Sequence, residues 1–528
     1  MKRRAHRVDT SLDTGSASAS GNIPARSFSG HGGRRTPRAR LGLTPGALAF
    51  FAVVRSRLTG PSALVRHARG QHGCSVTSVR SSNGHRHAAP RVAVVLPGGG
   101  ARGAYEVGAL SVLLPILEER GERPVILCGT SVGAINVAGL GARADRPADE
   151  AVGSLLDYWS NLRKGDVIRS VIGPGLPITV LRLLGEALRV PGLHLASLLD
   201  PAPLRRSLDR WVDWDALHRN VRGGVLDAVC VVATSLDRAS PVAFVDRAGG
   251  LPPSRPADRV QYVPTVLDVD HVRASAAIPM LFPPVEIRRP APLAGYYVDG
   301  GTRLNSPGTP ALALGADHVV VIGFQPFHAR IEPPIARDGA PHLADVAANI
   351  INGLLVDQVA DDLRRLATIN SFVVDADGDG AEGAAAAYCA ARGRRPYRRI
   401  SYVLVAPERR GALAEVADDV FDRCYAGRRG LLRPDYPFMS RLLGGGSSPA
   451  RGELLSFLLF DQEYAERLID LGRRDAQRWL DRHPHVWCSD AAHDFGIDTS
   501  TVAPLREREP VERSRTPRRR PRPVAPRG

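Results

Sequence analysis

Val92-Ala93-Val94-Val95-Leu96-Pro97-Gly98-Gly99-Gly100-Ala101-Arg102-Gly103 opens the part of the chain that decides the fold. An unbroken apolar run ahead of the glycines reads as a strand covered on both faces, as parallel sheets require. Beyond the glycines, Val107, Leu110, Leu113, Leu114 and Leu117 recur at helical steps, and Gly121 ends the pattern. The same sentence is then repeated: an apolar run at 125–127, the turn Gly129-Thr130-Ser131-Val132-Gly133, and a helical pattern of small residues from Ser131 onward. Strand, helix, strand, helix makes a parallel unit with a right-handed crossover, so the class is α/β.

Composition narrows the rest. The chain has 528 residues and 44% hydrophobic residues, enough for a large core. Its formal charge of +16 sits in the ends. Residues 1–90 carry 15 Lys and Arg against 2 Asp and Glu, and residues 504–528 carry 9 against 3. The part between, 91–503, is near neutral. Basic ends of this kind read as solvated and disordered, with a nonspecific attraction to phosphate. The six cysteines, Cys74, Cys128, Cys230, Cys389, Cys424 and Cys488, form no C-x-x-C pair. They indicate neither a zinc site nor a disulfide framework, and fit a reducing compartment. No apolar run reaches bilayer-spanning length; the one at 41–54 is interrupted by Pro45 and Gly46 and closed by Arg55 and Arg57.

These shifts divide the chain into a basic leader (1–90), a motif-bearing domain (91–312), a C-terminal extension passing from α/β to helical (313–503) and an Arg- and Pro-rich tail (504–528). Further strands are expected at 228–234, 296–298, 318–322 and 402–405. Helices are expected at 271–280, at 343–366 and through much of 411–479. An apolar insert at 166–199, broken by Pro174, Pro177 and Pro191, reads as helices packed on the core, as a mobile cap, or as a membrane-facing surface.

The turn residues carry the chemistry. A serine hydroxyl is a poor nucleophile and needs a base and a fixed position. Ser131, between Gly129 and Gly133 and between a strand and a helix, has the setting that the G-x-S-x-G pattern requires; a plain N-capping serine is the alternative. Gly98, Gly100 and Gly103 also spell G-x-G-x-x-G. A dinucleotide site would, however, place an acid at the end of the second strand, where Cys128-Gly129-Thr130-Ser131 stands instead. Consecutive glycines can instead turn bare N–H groups toward a developing oxyanion. For the base, Asp299 ends an apolar strand and precedes Gly300 and Gly301. A carboxylate in apolar surroundings has a raised pKa and gains strength as a base. His271, His318 and His328 sit in ordinary helix, strand and loop contexts.

Taken in order, these segments resemble the patatin-like phospholipases. The glycine-rich loop matches at Gly98-Gly99-Gly100-Ala101-Arg102-Gly103 and the nucleophile turn at Gly129–Gly133. An A-S-x-A-x-P segment matches at Ala274-Ser275-Ala276-Ala277-Ile278-Pro279, and the D-G-[GA] motif at Asp299-Gly300-Gly301. The resemblance covers roughly 92–312. It implies a three-layer α/β/α fold with a mostly parallel central sheet and a mainly helical C-terminal region. It also implies an acyl hydrolase of lipid esters with a Ser131–Asp299 dyad, an oxyanion hole from Gly98, Gly99, Gly100, Arg102 and Gly103, and no metal or other cofactor. Arg102 stands where the family often has Arg or Lys. There it either strengthens the positive field of the loop or forms a salt bridge.

Other readings stay on the page: an esterase with a histidine base, a lipid-binding scaffold without turnover, and a nucleic-acid binder driven by the arginine-rich ends. Asp375, Asp377, Asp379 and Gly380 match the start of a calcium loop, but Ala386 stands where a bidentate Glu is needed. The expected partner is a lipid ester, with peripheral contact at an anionic membrane and no specific nucleic acid. The expected location is cytoplasmic.

Overall fold

The computed structural model describes residues 90–169, 199–251, 260–279, 281–326, 353, 366, 370, 389–391, 399–425 and 450–489. The chain divides into two units, Met1–His85 and Arg86–Gly528, and every described residue lies in the second. The basic leader, residues 170–198 of the insert, most of the 343–366 helix, the 375–380 acidic stretch, His328 and the Arg- and Pro-rich tail lie outside the described residues.

The strands are β1 (Val92–Leu96), β2 (Pro124–Thr130), β3 (Ala228–Ser235), β4 (Ser240–Asp246), β5 (Gln261–Pro264), β6 (Val285–Ile287), β7 (Gly295–Asp299), β8 (His318–Ile322) and β9 (Ser401–Val405). They form one nine-stranded sheet in the order β5-β4-β3-β2-β1-β8-β9, with β7 paired to β3 and to β6. The pairs β1–β2, β1–β8, β2–β3, β8–β9 and β4–β5 are parallel; β3–β4, β3–β7 and β6–β7 are antiparallel. Helices α1 (Gly103–Glu119), α2 (Val132–Gly141), α3 (Ala148–Asn161), α4 (Lys164–Val167), α5 (Ala202–Trp211), α6 (Trp214–Arg222), α7 (Val269–Ser275) and α8 (Gly308–Leu314) flank the sheet, and α9 (Ala412–Cys424), α10 (Ala450–Leu458) and α11 (Gln462–Arg482) form the helical C-terminal region. The fold is thus α/β with a mostly parallel central sheet.

β1 is buried at every position because it is paired on both sides and covered on both faces. That explains its uninterrupted apolar sequence. Its partner β8 lies past residue 312, so the C-terminal extension completes the central sheet. One pairing matters most for the site. β3 runs beside β2 only as far as Val232, opposite Thr130; further along the same edge Ala233 pairs with Asp299 of β7. Because β2 is parallel to β3 and β7 antiparallel, their carboxyl ends meet head-on.

Two expectations need correction. The helix expected at 271–280 is Val269–Ser275, and the chain leaves it at Ala276. Pro279 disfavours helical backbone at Ile278, and the Ala277 carbonyl turns away to accept the Asp299 N–H at 2.9 Å. Strands β4, β5 and β6, absent from the sequence reading, extend the sheet.

α1 forms because Leu110, Leu113 and Leu117 are fully buried, each contributing roughly 1.5–3 kcal/mol. It packs against α11 at backbone distance. A Cβ on Gly108 would lie 2.2 Å from the Ile469 carbonyl oxygen, and one on Gly472 would lie 2.2 Å from that of Tyr105. Tyr105 adds a hydrogen bond to Asp475 at 2.8 Å. Gly472→Ala is therefore expected to lower stability by about 1–3 kcal/mol, read as a lower urea midpoint. Gly153→Ala in α3, where nothing lies within 4 Å, is expected to raise it slightly.

Candidate active site

Ser131 sits between β2 and α2 with φ 53° and ψ −121°. A side chain there is strained, and such strain is sustained only where the surroundings over-determine the backbone. Here they do. The Ser131 N–H donates to Ser275 Oγ at 2.8 Å, and the Ser275 hydroxyl donates to the Val232 carbonyl at 2.6 Å. Gly129 and Gly133 allow the strand to reverse into the helix: a Cβ on Gly133 would lie 2.1 Å from the Leu96 carbonyl oxygen, and one on Gly129 would lie 2.3 Å from that of Gly133.

Asp299 ends β7 and is wholly buried. Its Oδ1 accepts the Gly301 N–H at 2.7 Å. Its Oδ2 is buried without a partner in hydrogen-bonding geometry. The Ser131 hydroxyl lies near enough to favour the carboxylate, yet short of a formed hydrogen bond. Burial pushes the carboxyl up to about 7, against the opposing pull of Ser131 and Gly301. Gly300 packs under the Val232 carbonyl, which lies 2.2 Å from where its Cβ would sit. The structure thus brings Ser131 and Asp299 together from positions 168 apart in the chain.

The glycine loop differs from the expectation in three of its five positions. The Gly98 N–H donates to Asn305 Oδ1 at 2.9 Å, and Asn305 Nδ2 returns a bond to the Gly98 carbonyl at 3.3 Å. The Arg102 N–H donates to the Gly99 carbonyl at 3.2 Å, and the Gly103 N–H donates to that of Gly100. Those three donors are spent within the fold, because a 3-10 turn at Gly100–Arg102 closes the loop. The N–H groups of Gly99 and Gly100 have no acceptor among the described residues. The Arg102 side chain points away from any open field: it is buried in an ion pair with Glu453. Of its two expected roles, the salt bridge is the one observed.

Ser131 and Gly100 open onto a cavity of about 30 Å³ whose apolar walls include Val132, Trp159, Ile278, Leu458 and Phe460, room for about one water. A second cavity of about 620 Å³ shares Ile135, Tyr158 and Leu162 with it. No histidine is hydrogen-bonded to Ser131 or Asp299 among the described residues. His271 Nδ1 engages Asp268 at 2.7 Å in the cap of α7, and His318 packs on Trp487 with ring centroids 4.5 Å apart. The described residues hold no cluster suited to a metal ion, and no described helix is long and apolar enough to cross a membrane.

Sequence reasoning left Ser275 and Asn305 without roles. Ser275 lay within a recognised segment, but its neighbours across the sheet are not visible in sequence. Asn305 carried no local signal. Leu458 ends α10 and Phe460 lies in the link between α10 and α11.

The family model described as Patatin-like phospholipase matches residues 94–312. No curated protein matches the chain. Among solved structures, VipD from Legionella pneumophila is 13% identical with a TM-score of 0.27, over 75% of this chain and 67% of that one. Human GIVD cytosolic phospholipase A2, solved with methyl gamma-linolenyl fluorophosphonate, is 13% identical with a TM-score of 0.30, over 75% of this chain and 58% of that one. ExoU, from the ExoU–SpcU complex of the Pseudomonas aeruginosa type III secretion system, is 18% identical with a TM-score of 0.20, over 81% of each chain. These likenesses are too distant to add weight, and the sequence model carries the assignment. Residues 94–312, less than half of the chain, are thus similar to the patatin-like phospholipases.

Proposed function

We propose that the chain is a serine acyl hydrolase of lipid esters, with Ser131 as nucleophile and Asp299 as its base. The observation that carries this reading is the buried Asp299 carboxyl, raised to about 7, with one oxygen unpartnered beside the Ser131 hydroxyl. Asp299 takes the serine proton as Oγ attacks the ester carbonyl. The N–H groups of Gly99 and Gly100 receive the oxyanion, each such donor contributing about 3 kcal/mol to the transition state. The proton then passes to the leaving alcohol, leaving an acyl-enzyme. Asp299 next takes a proton from water as it attacks the acyl carbonyl, then returns that proton to the departing Ser131 Oγ as the acyl–Oγ bond breaks and the fatty acid is released. Serine, carboxylate, main-chain donors and water are enough for every step. The apolar walls of Val132, Trp159, Ile278 and Phe460 suit an acyl chain, and the small volume requires those side chains to move when one enters.

Ser131→Ala is expected to abolish fatty-acid release from a lipid panel read by mass spectrometry, and to abolish labelling by a fluorophosphonate. Labelling that survives the substitution overturns the reading. Asp299→Asn is expected to lower kcat by about 100- to 10,000-fold.

The raised carboxyl fixes two pH effects. The base works only when ionised, so kcat/KM is expected to climb as pH rises through about 7; a profile flat from pH 5 to 9 would exclude Asp299 as the base. Stability moves the other way. The unfolded carboxyl titrates near 4, so between about 4 and 7 the folded state holds a proton that the unfolded state has lost. The contribution is fully present below that window and is lost as pH rises across it. Asp299→Asn, having no proton to lose, is expected to unfold at a higher denaturant concentration than wild type above pH 7.

A further inference from the structure

We infer that Glu453 and Ser456 of α10 are positioning residues for the oxyanion loop, acting through Arg102, so that a helix about 140 residues past the family-matched segment is part of the active site. The inference rests on the reading of Gly99 and Gly100 as oxyanion donors.

Arg102 is the single charged residue in a run of glycine and alanine, and it is only 2% exposed. A buried guanidinium is costly unless its charge and its N–H groups are matched. The side-chain partners of Arg102 come from α10. Its Nε donates to Ser456 Oγ at 2.8 Å and its Nη2 donates to the same oxygen at 2.6 Å; Nη2 also pairs with the Glu453 carboxylate at 2.5 Å. The Phe457 ring lies against the guanidinium, 4.0 Å from Cζ to the centroid.

This grip reaches the donors by a short route. The Arg102 N–H is bonded to the Gly99 carbonyl, so the residue held by α10 closes the turn that carries Gly99 and Gly100. The helix also touches the loop directly. Gly100 has φ +60°, and the Phe457 carbonyl oxygen lies 2.3 Å from where its Cβ would stand. No other residue type fits there. Leu458 then lines the cavity that holds Ser131. α10 is itself anchored: Arg451 pairs with Asp418 of α9 at 2.8 Å, and the Tyr464 hydroxyl of α11 donates to the Ser456 carbonyl at 3.4 Å. Asn305 fixes the opposite end of the loop at Gly98. An oxyanion donor acts through prior orientation, so loosening one end of the turn costs the transition state and leaves ground-state binding alone.

The test uses the full-length chain and two readouts, steady-state hydrolysis and amide hydrogen exchange of the peptide covering 97–103. Ser456→Ala and Glu453→Gln are each expected to lower kcat by about 10- to 100-fold while KM stays within about twofold, and to speed exchange in that peptide. Because a lone buried cation destabilises the fold, the pair Arg102→Met with Glu453→Met serves as a charge-free variant. It is expected to melt within a few degrees of wild type and still show the low kcat and the fast exchange. Wild-type kcat or wild-type exchange in the charge-free variant overturns the inference, as does a loss in which KM rises as far as kcat falls. If wild type shows no hydrolysis that depends on Ser131, the functional reading fails, and the exchange arm alone then decides whether α10 holds the loop.

Discussion

The structure turns on a junction a few ångströms across, where β2 and β7 end against the same edge of β3. Parallel and antiparallel strands cannot continue past one another there, so each must leave the sheet. One leaves as the turn of Ser131 and the other as the turn of Asp299. The last residue of α7 and the segment that follows it bind the junction from one side. Ser275 accepts from the backbone of Ser131 and donates to Val232, and Ala277 accepts from the backbone of Asp299. One short stretch of chain therefore sets both backbones by hydrogen bonds, and the alcohol and the acid inherit their proximity from it. Side chains on separate, unlinked loops would not keep such a distance.

The junction is locally unfavourable twice over. Ser131 holds a left-handed φ that costs of order 1–3 kcal/mol, and Asp299 holds a carboxyl with one oxygen denied any partner. Neither would persist on a marginal scaffold. The offset comes from the sheet behind them, where β1, β2 and β3 are buried almost throughout, and from helices packed on it at backbone distance. Strain and desolvation at the turn, and surplus burial elsewhere, are two sides of one arrangement.

What could be read from sequence was what is encoded within a few neighbouring residues. The boundaries of β1 and β8 were legible because central parallel strands are apolar at every position. The two glycine turns were legible because close packing of strand on helix excludes side chains. The nearness of Ser131 to Asp299 was accessible only through the family resemblance that the motifs carry. What escaped depends on distant contacts. Strand β4 carries Pro241 and follows β3 after a short turn, so its apolar run reads ambiguously until its antiparallel partner is known. Ser275 looks like any serine in a small-residue helix end. Gly98, Arg102 and Gly103 look like free donors until Asn305 and the 3-10 turn are seen to consume them. Arg102 in particular cannot be assigned from its neighbours, since its counter-charge lies at position 453.

The pairing of β1 with β8, and of β8 with β9, beyond the sequence motifs has a temporal consequence. Synthesis proceeds from the amino end, so both glycine turns leave the ribosome well before the strand that seals the free edge of β1. A nascent chain ending anywhere short of residue 318 presents that edge, with its unpaired main-chain groups, to its surroundings. Closure of the central sheet is thereby deferred until β8 has been made, and a product truncated before it is prone to stick to its neighbours.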